Sequence, residues 1–347
     1  MTRSEMSGSE TDRSDLREEL ARLILGEEQC LTGAEVADKG GLTVEQGERL
    51  WRAFGFPNAG DAPAYGDQDV EAISLIARAL QDELLDESTI FRLTRALGQT
   101  MAKLADWQVA TIVDQVEGDV AEGRADSRLE ASVEIAQRIG PEFESLLLYA
   151  WRRHLAAAAA RLEALGAVDA ELLSTTMTVG FADLSRFTAM SNSIDQASLG
   201  ALVEDFENRC TDVVTAHGGR VIKALGDAVL FVNTDPAAGV RTALEVVQHI
   251  GARENLPDVR VALATGSVVS RLGDVFGPPV NLAARLSHVA RSNRVLIDDT
   301  TAAGLGDGEF EMRSLPARPL RGFGTVSPIT ISQRRGFRQR AQGGPRT

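Results

Sequence analysis

A single change of texture near Ser174 constrains this chain more than any other feature. Before it, apolar residues recur at spacings of three and four, as in Leu16, Leu20, Leu23 and Ile24. That is the period of amphipathic helices, and strand-like alternation is nearly absent up to residue 175. Helical segments are expected at Val44–Gly55, Val70–Leu85, Ser88–Trp107 and Trp107–Glu117, all rich in Ala, Leu, Glu and Arg. Phe143–Leu165 (FESLLLYAWRRHLAAAAARLEAL) is a further run of strong helix formers, stopped by Gly166. Its five consecutive alanines let another helix approach closely, and it leads straight into the second texture.

After Ser174 the pattern is mixed. TTMTVGFAD is a β-branched run ending in an acid; a helix is expected over Ile194–Ala216. GGRVIKALGDAVLFV reads as two strands around a tight turn, with Gly226 supplying the turn backbone. A helix (Ala237–Asn255), a strand (Val259–Thr265), a turn at Gly273, a helix (Pro279–Arg291) and the strand RVLIDD follow. The order β-α-β-β-α-β, with additions, predicts an α+β, ferredoxin-like domain behind an all-helical one. The expected division is a disordered stretch 1–15, a helical domain 16–142, a linker helix 143–168, an α+β domain 169–333 and a basic disordered tail 334–347.

At 347 residues the length suits two domains. No stretch approaches the ~18 apolar residues of a membrane helix, and MTRSEMSGSETDRSD has no apolar core of a secretory signal. Cys30 and Cys210 stand far apart in no CxxC, which disfavours a disulfide framework or Cys-rich zinc site and fits the reducing cytoplasm. Residues 1–170 hold 17 Lys and Arg against 32 Asp and Glu; the remainder holds 19 against 18, within chain totals of 36 and 50. The acidic half would repel nucleic acid and anionic lipid. The last fourteen residues carry five Arg and no acid, read as a solvated tail.

Two acids sit where chemistry can use them. Asp183 closes MTVGFAD, and Asp227 sits in the turn between VIKAL and AVLFV. Pairing of those strands puts both carboxylates at one edge. Hard cations such as Mg²⁺ or Mn²⁺ take such oxygens and keep positions open for phosphate. LSRFT then enters a helix, where the backbone N–H groups of Phe187 and Thr188 can cradle a triphosphate. In DVFGPPVNLAARL, Asn281 and Arg285 stand at i and i+4, one helix face carrying an amide and a guanidinium.

FADLSRFT, VIKALGDAVLF, VALATG, DVFGPPVNLAARL and PLRGFG occur in an order and spacing that resemble a class III nucleotidyl cyclase catalytic domain over residues 176–332. The resemblance implies residue roles. Asp183 and Asp227 match the metal-binding aspartates, holding two Mg²⁺ or Mn²⁺ per site. Lys223 and Asp274 match the purine readers, Asn281 the ribose-orienting amide and Arg285 the transition-state arginine. Arg321 in LRGF matches a basic residue, commonly lysine, that touches the terminal phosphates; Arg keeps the charge but not the geometry. A lysine can donate to adenine N1 and an aspartate can accept from the 6-amino group, whereas guanine reverses both features. The implied substrate is ATP, and the implied products are 3′,5′-cyclic AMP and pyrophosphate. In the family the site lies between two catalytic domains, so one chain carrying every role implies a homodimer.

LTGAEVADKGGLTVEQGERLWRAFGFP followed by AYGDQDVEAI resembles a MerR-like helix-turn-helix. Its acids and the acidic surroundings favour a reused helical scaffold over a DNA reader, so no nucleic-acid partner is expected. Residues 16–165 as a whole resemble the regulatory domain of actinobacterial pH-sensitive, autoinhibited adenylate cyclases, nearest in LYAWRRHLAAAAARL. That resemblance singles out His154 as a candidate regulatory group, since histidine titrates near physiological pH. A nucleotide-binding scaffold without turnover and an ATP-gated DNA-binding regulator are the competing readings. The complete set of matched positions argues against the first, and the acid excess against the second.

Overall fold

The computed structural model describes residues 19–57, 59–83, 85–164, 174–251, 257–271, 273–306 and 308–334. The stretches 1–18 and 335–347, and residues 165–168 of the expected linker, lie outside the described residues. The chain divides into two compact units, Met1–Ala160 and Arg161–Thr347.

The first unit is helical. Thr32 and Thr43 build capping boxes with Glu35 and Gln46, starting α1 (Gly33–Lys39) and α2 (Val44–Phe54). Gly55, at φ +85°, ends α2 in the left-handed conformation that glycine adopts freely. α3 (Asp67–Gln81) closes a small core of Leu31, Val36, Leu50, Trp51, Tyr65 and Ile73. α4 (Glu87–Ala121), capped by Asp86, crosses so close to α2 that a Cβ on Gly98 would lie 2.1 Å from the Phe54 carbonyl oxygen. α4 replaces the two helices expected to meet at Trp107, because no breaker separates them. Likewise Phe143–Leu165 is not a separate helix in its described part: α5 (Arg128–Ala164) runs straight through Pro141. Beyond Gly140 and Pro141, good helix formers on both sides outweigh the hydrogen bond that the proline forfeits. Val116, Ala125, Ala131 and Ile135 pack together where α4 turns into α5. On α2, Arg49 pairs with Glu87 at 2.9 Å and stacks on Phe91, while Arg52 pairs with Glu48.

The second unit carries the expected β-α-β-β-α-β core: β1 (Ser174–Leu184), α7 (Gln196–Ala216), β2 (Arg220–Ala224), β3 (Ala228–Asn233), α8 (Pro236–Gly251) and β4 (Val259–Arg271). A short α6 (Phe187–Ser191) follows β1. The order β2-β3-β1-β4 is antiparallel throughout, as that connectivity requires. β4 runs past the expected end at Thr265 and hairpins through Gly273 into β5 (Asp274–Phe276). After α9 (Pro278–Val289) the sheet continues with β6 (Val295–Ile297), parallel to β4. RVLIDD is strand only at its centre, since Asp298 caps α10 (Asp299–Ala303) instead. β7 (Phe310–Ser314) is the far edge, joined to β6 by β10 (Ile329–Gln333); β8 (Arg318–Leu320) and β9 (Gly324–Val326) form a separate hairpin.

Alternation along β1 divides the core. Ala182 and Leu184 face α7 and α8, packing with Phe206, Val214, Val240 and Ile250. Val179 and Phe181 face α9 with Ala264 and Ala283. Gly180 is required by the β3 neighbour: a Cβ there would lie 2.2 Å from the Phe231 ring. Cys210 is buried in the first of these layers, and burial pushes its thiol up to about 12, so it packs as an unreactive apolar side chain.

Candidate active site

The end of β1 delivers Asp183 next to β3 on one side and β4 on the other. Its register partners are Ala228 and Arg260. Asp227 immediately precedes Ala228 in the β2–β3 turn, where Gly226 takes φ +74°. The Leu184 N–H donates to the Asp227 carbonyl at 2.9 Å, stapling that turn to the end of β1. The structure thus brings the two acids together, as the strand pattern predicts.

Asp183 is 6% exposed, and its charge is compensated locally. Arg260 donates to Asp183 Oδ2 from Nε at 2.9 Å and from Nη2 at 2.7 Å. Burial pushes the Asp183 carboxyl above its usual range; the bonds and charge of Arg260 pull it back, and the Asp227 charge raises it again. Arg260 also reaches the His288 carbonyl at the end of α9. Sequence reasoning missed Arg260. A lone arginine in an apolar strand has no spacing signal, and only the β1–β4 register reveals its partner.

The donor set fits a divalent cation completed by substrate. Two clustered carboxylates repel each other, and that repulsion is what a divalent charge relieves. Beside them Ser185 Oγ is buried with no hydrogen-bond partner among the described residues. Among those residues no group of three or more His, Cys, Asp or Glu converges as a closed metal cage. Phosphate oxygens and water would supply remaining ligands.

Arg186, at φ +63°, turns the chain into α6, so Phe187 and Thr188 are its first two residues. Their N–H groups have no carbonyl one turn back to bond within the helix. Lys223 on β2 and Asp274 on β5, 51 residues apart, meet with Nζ 2.5 Å from Oδ2. Asn281 and Arg285 are exposed on α9, whose inner face buries Ala283 and Leu286. Among the described residues no ion pair joins Arg285 to either carboxylate. Arg321 is exposed in the turn between β8 and β9. In the other unit, His154 is exposed on α5 beside Arg152 and Arg153. The structure therefore joins Asp183 with Asp227 and Lys223 with Asp274, and sets Asn281 with Arg285 on a helix of its own.

Residues 172–332 match the family described as the adenylate and guanylate cyclase catalytic domain. An adenylate cyclase of Streptomyces coelicolor is 36% identical over 344 residues, covering 91% of this chain and 90% of that protein. An adenylate cyclase of Streptomyces griseus is 35% identical over 286 residues, 82% of this chain and 71% of that protein. A pH-sensitive adenylate cyclase of Mycobacterium tuberculosis is 29% identical over 337 residues, 93% of this chain and 83% of that protein.

Proposed function

The chain belongs to the adenylate cyclases of the adenylate and guanylate cyclase catalytic-domain family, and we propose that it converts ATP to 3′,5′-cyclic AMP and pyrophosphate at sites shared between two copies of itself. The observation that carries this reading is the contact between Lys223 and Asp274. It sets a donor beside an acceptor in the polarity of the adenine N1 and 6-amino edge.

Each remaining side chain has a role its chemistry supports. Asp183 and Asp227 would hold two Mg²⁺ or Mn²⁺, which when bound lower the pKa of the ribose 3′-hydroxyl and neutralise the triphosphate. Arg260 positions the Asp183 carboxylate and opposes the upward push of burial on its pKa. Phe187 and Thr188 offer backbone N–H groups to phosphate oxygens. Asn281 orients the ribose, and Arg285 neutralises charge growing on the α-phosphoryl oxygens as the 3′-oxygen attacks. Arg321 meets the terminal phosphates through its two-pronged guanidinium.

Two features support a second copy as the partner. Asn281 and Arg285 point away from their own domain's core, and a head-to-tail twofold pair would carry them to the other copy's Asp183 and Asp227, completing two sites. On α4, Leu93, Leu97, Thr100, Leu104, Trp107 and Thr111 recur at spacings of four and three, with Leu93, Leu97 and Trp107 exposed. That is the seam pattern of helices that pair.

Residues 169–333 would be the catalytic domain, 16–142 an inhibitory regulatory domain and 143–168 the lever between them. Proton binding near His154 would relieve inhibition; the helix that carries it and the likeness to a pH-sensitive relative support this. Among the described residues no helix is long and apolar enough to cross a membrane, which accords with a cytoplasmic enzyme. The test is cyclic AMP release from ATP and Mn²⁺ by the full chain. Asp183→Ala or Asp227→Ala should cost several kcal/mol of transition-state stabilisation and abolish turnover while circular dichroism is unchanged. Near-parental turnover in either variant refutes the metal assignment.

A further inference from the structure

The catalytic unit has a second concavity, outside every residue given a role above. α9 covers the sheet only as far as β6, so the same face of β10 and β7 is left open. Register places Leu296, Thr330 and Arg313 in one row across β6, β10 and β7, with Ser332 and Glu311 in the next. The end of α9 and the start of β8 wall this open face into a groove of about 690 Å³.

Its charge is one-sided. Arg291, Arg294, Arg313 and Arg318 all line it, against Glu311 as the single acid. None of the four guanidiniums has an ion-pair partner among the described residues. An open sheet face is ordinarily polar with both signs mixed; four unpaired guanidiniums around one hollow repel each other unless an anion joins them. A guanidinium grips phosphate oxygens two at a time. The floor is different in kind: Leu296 is almost fully buried, and Val289, Leu315 and Pro316 flank it. A hollow of this size exceeds what one inorganic phosphate needs and is in the range of small-molecule sites.

We propose that this groove binds a soluble nucleoside di- or triphosphate at a site separate from the catalytic one. The phosphates meet the four arginines, and the base lies on the apolar floor. Lys223 and β2 stand at the opposite edge of the sheet from Arg313 and β7. The groove connects to the strand that carries Arg260 through Arg294, whose carbonyl accepts from the Val261 N–H.

The test uses the full chain in excess EDTA, where Asp183 and Asp227 without cations repel a triphosphate. A fluorescent ATP analogue is titrated into the parent, into Arg294→Gln/Arg313→Gln and into Lys223→Ala, with circular dichroism confirming the fold of each. Saturable binding is expected, displaced by unlabelled ATP and more weakly by inorganic tripolyphosphate. Loss of two charged donors should weaken it roughly tenfold or more, and Lys223→Ala should leave it within about twofold. Arg313→Gln alone, on an edge strand, should give an intermediate loss. The proposal is overturned if the parent binds neither probe, or if Lys223→Ala abolishes binding and the double variant retains it. Equal displacement by tripolyphosphate and ATP refutes the nucleoside part. Binding of anionic lipid vesicles in place of ATP refutes the soluble ligand.

Discussion

Removing Arg260 tests the physical account of the Asp183 site. Arg260→Ala leaves a carboxylate that is 6% exposed without the two bonds, at 2.9 and 2.7 Å, that now hold it. Breaking a buried pair from one side costs ~3–5 kcal/mol. The Arg260 side chain is itself 25% exposed, so water enters its place and the expected loss is ~2–3 kcal/mol at pH 7. The pH dependence has a definite sign. The folded Asp183 pKa already lies above its unfolded value, and losing Arg260 raises it further. Such a group destabilises the fold as pH rises through the folded pKa, because the unfolded chain then binds fewer protons. The deficit of the variant should therefore shrink on acidification, by at most ~1.4 kcal/mol for each pH unit below the new pKa. All Trp and Tyr residues precede Arg161, so urea unfolding of the C-terminal unit is followed by far-ultraviolet circular dichroism at pH 7 and pH 5. Arg260→Lys should fall between parent and Ala. A deficit under ~0.5 kcal/mol at pH 7, or one that grows on acidification, refutes the role assigned to Arg260.

Lys223→Glu with Asp274→Ser should lower kcat/KM for ATP by two orders of magnitude or more, since both partners of the adenine edge are lost and the first is reversed in charge; an unchanged preference for ATP over GTP refutes the base-reading pair. A fragment beginning at Val168 should be active and lose most of the pH response of the full chain, measured as cyclic AMP formation from pH 5.5 to 8. His154→Ala in the full chain should blunt that response. For acid to activate, the active state must bind more protons than the inhibited one; superimposable profiles of fragment and full chain refute regulation by residues 16–165.

The β-α-β-β-α-β core was legible because each strand ends in a marked residue: Asp183 after an apolar run, and Gly226-Asp227 in a tight turn. Strand order follows from that connectivity. The Lys223–Asp274 contact was legible only through family resemblance, as 51 residues separate the pair. Arg260 was not legible, since its role exists only in the β1–β4 register. Helix ends misled at Trp107 and Phe143, where the sequence suggested boundaries and helix formers on both sides carried α4 and α5 through, in α5 even past Gly140 and Pro141. The Arg-lined groove escaped because Arg291 and Arg294, Arg313 and Arg318 come from three different segments, with no common period.

Subunit mixing tests the shared site most directly. Asp183→Ala and Arg285→Ala proteins, each inactive alone, are unfolded together, refolded and assayed for cyclic AMP. Random pairing makes half the dimers mixed, and each mixed dimer has one site with both defects and one with none, so about a quarter of parental activity should return. Asp183→Ala mixed with Asp227→Ala should stay inactive, because both residues serve the same half-site. Activity returning in the second mixture, or failing to return in the first, would contradict catalysis at sites shared between two copies.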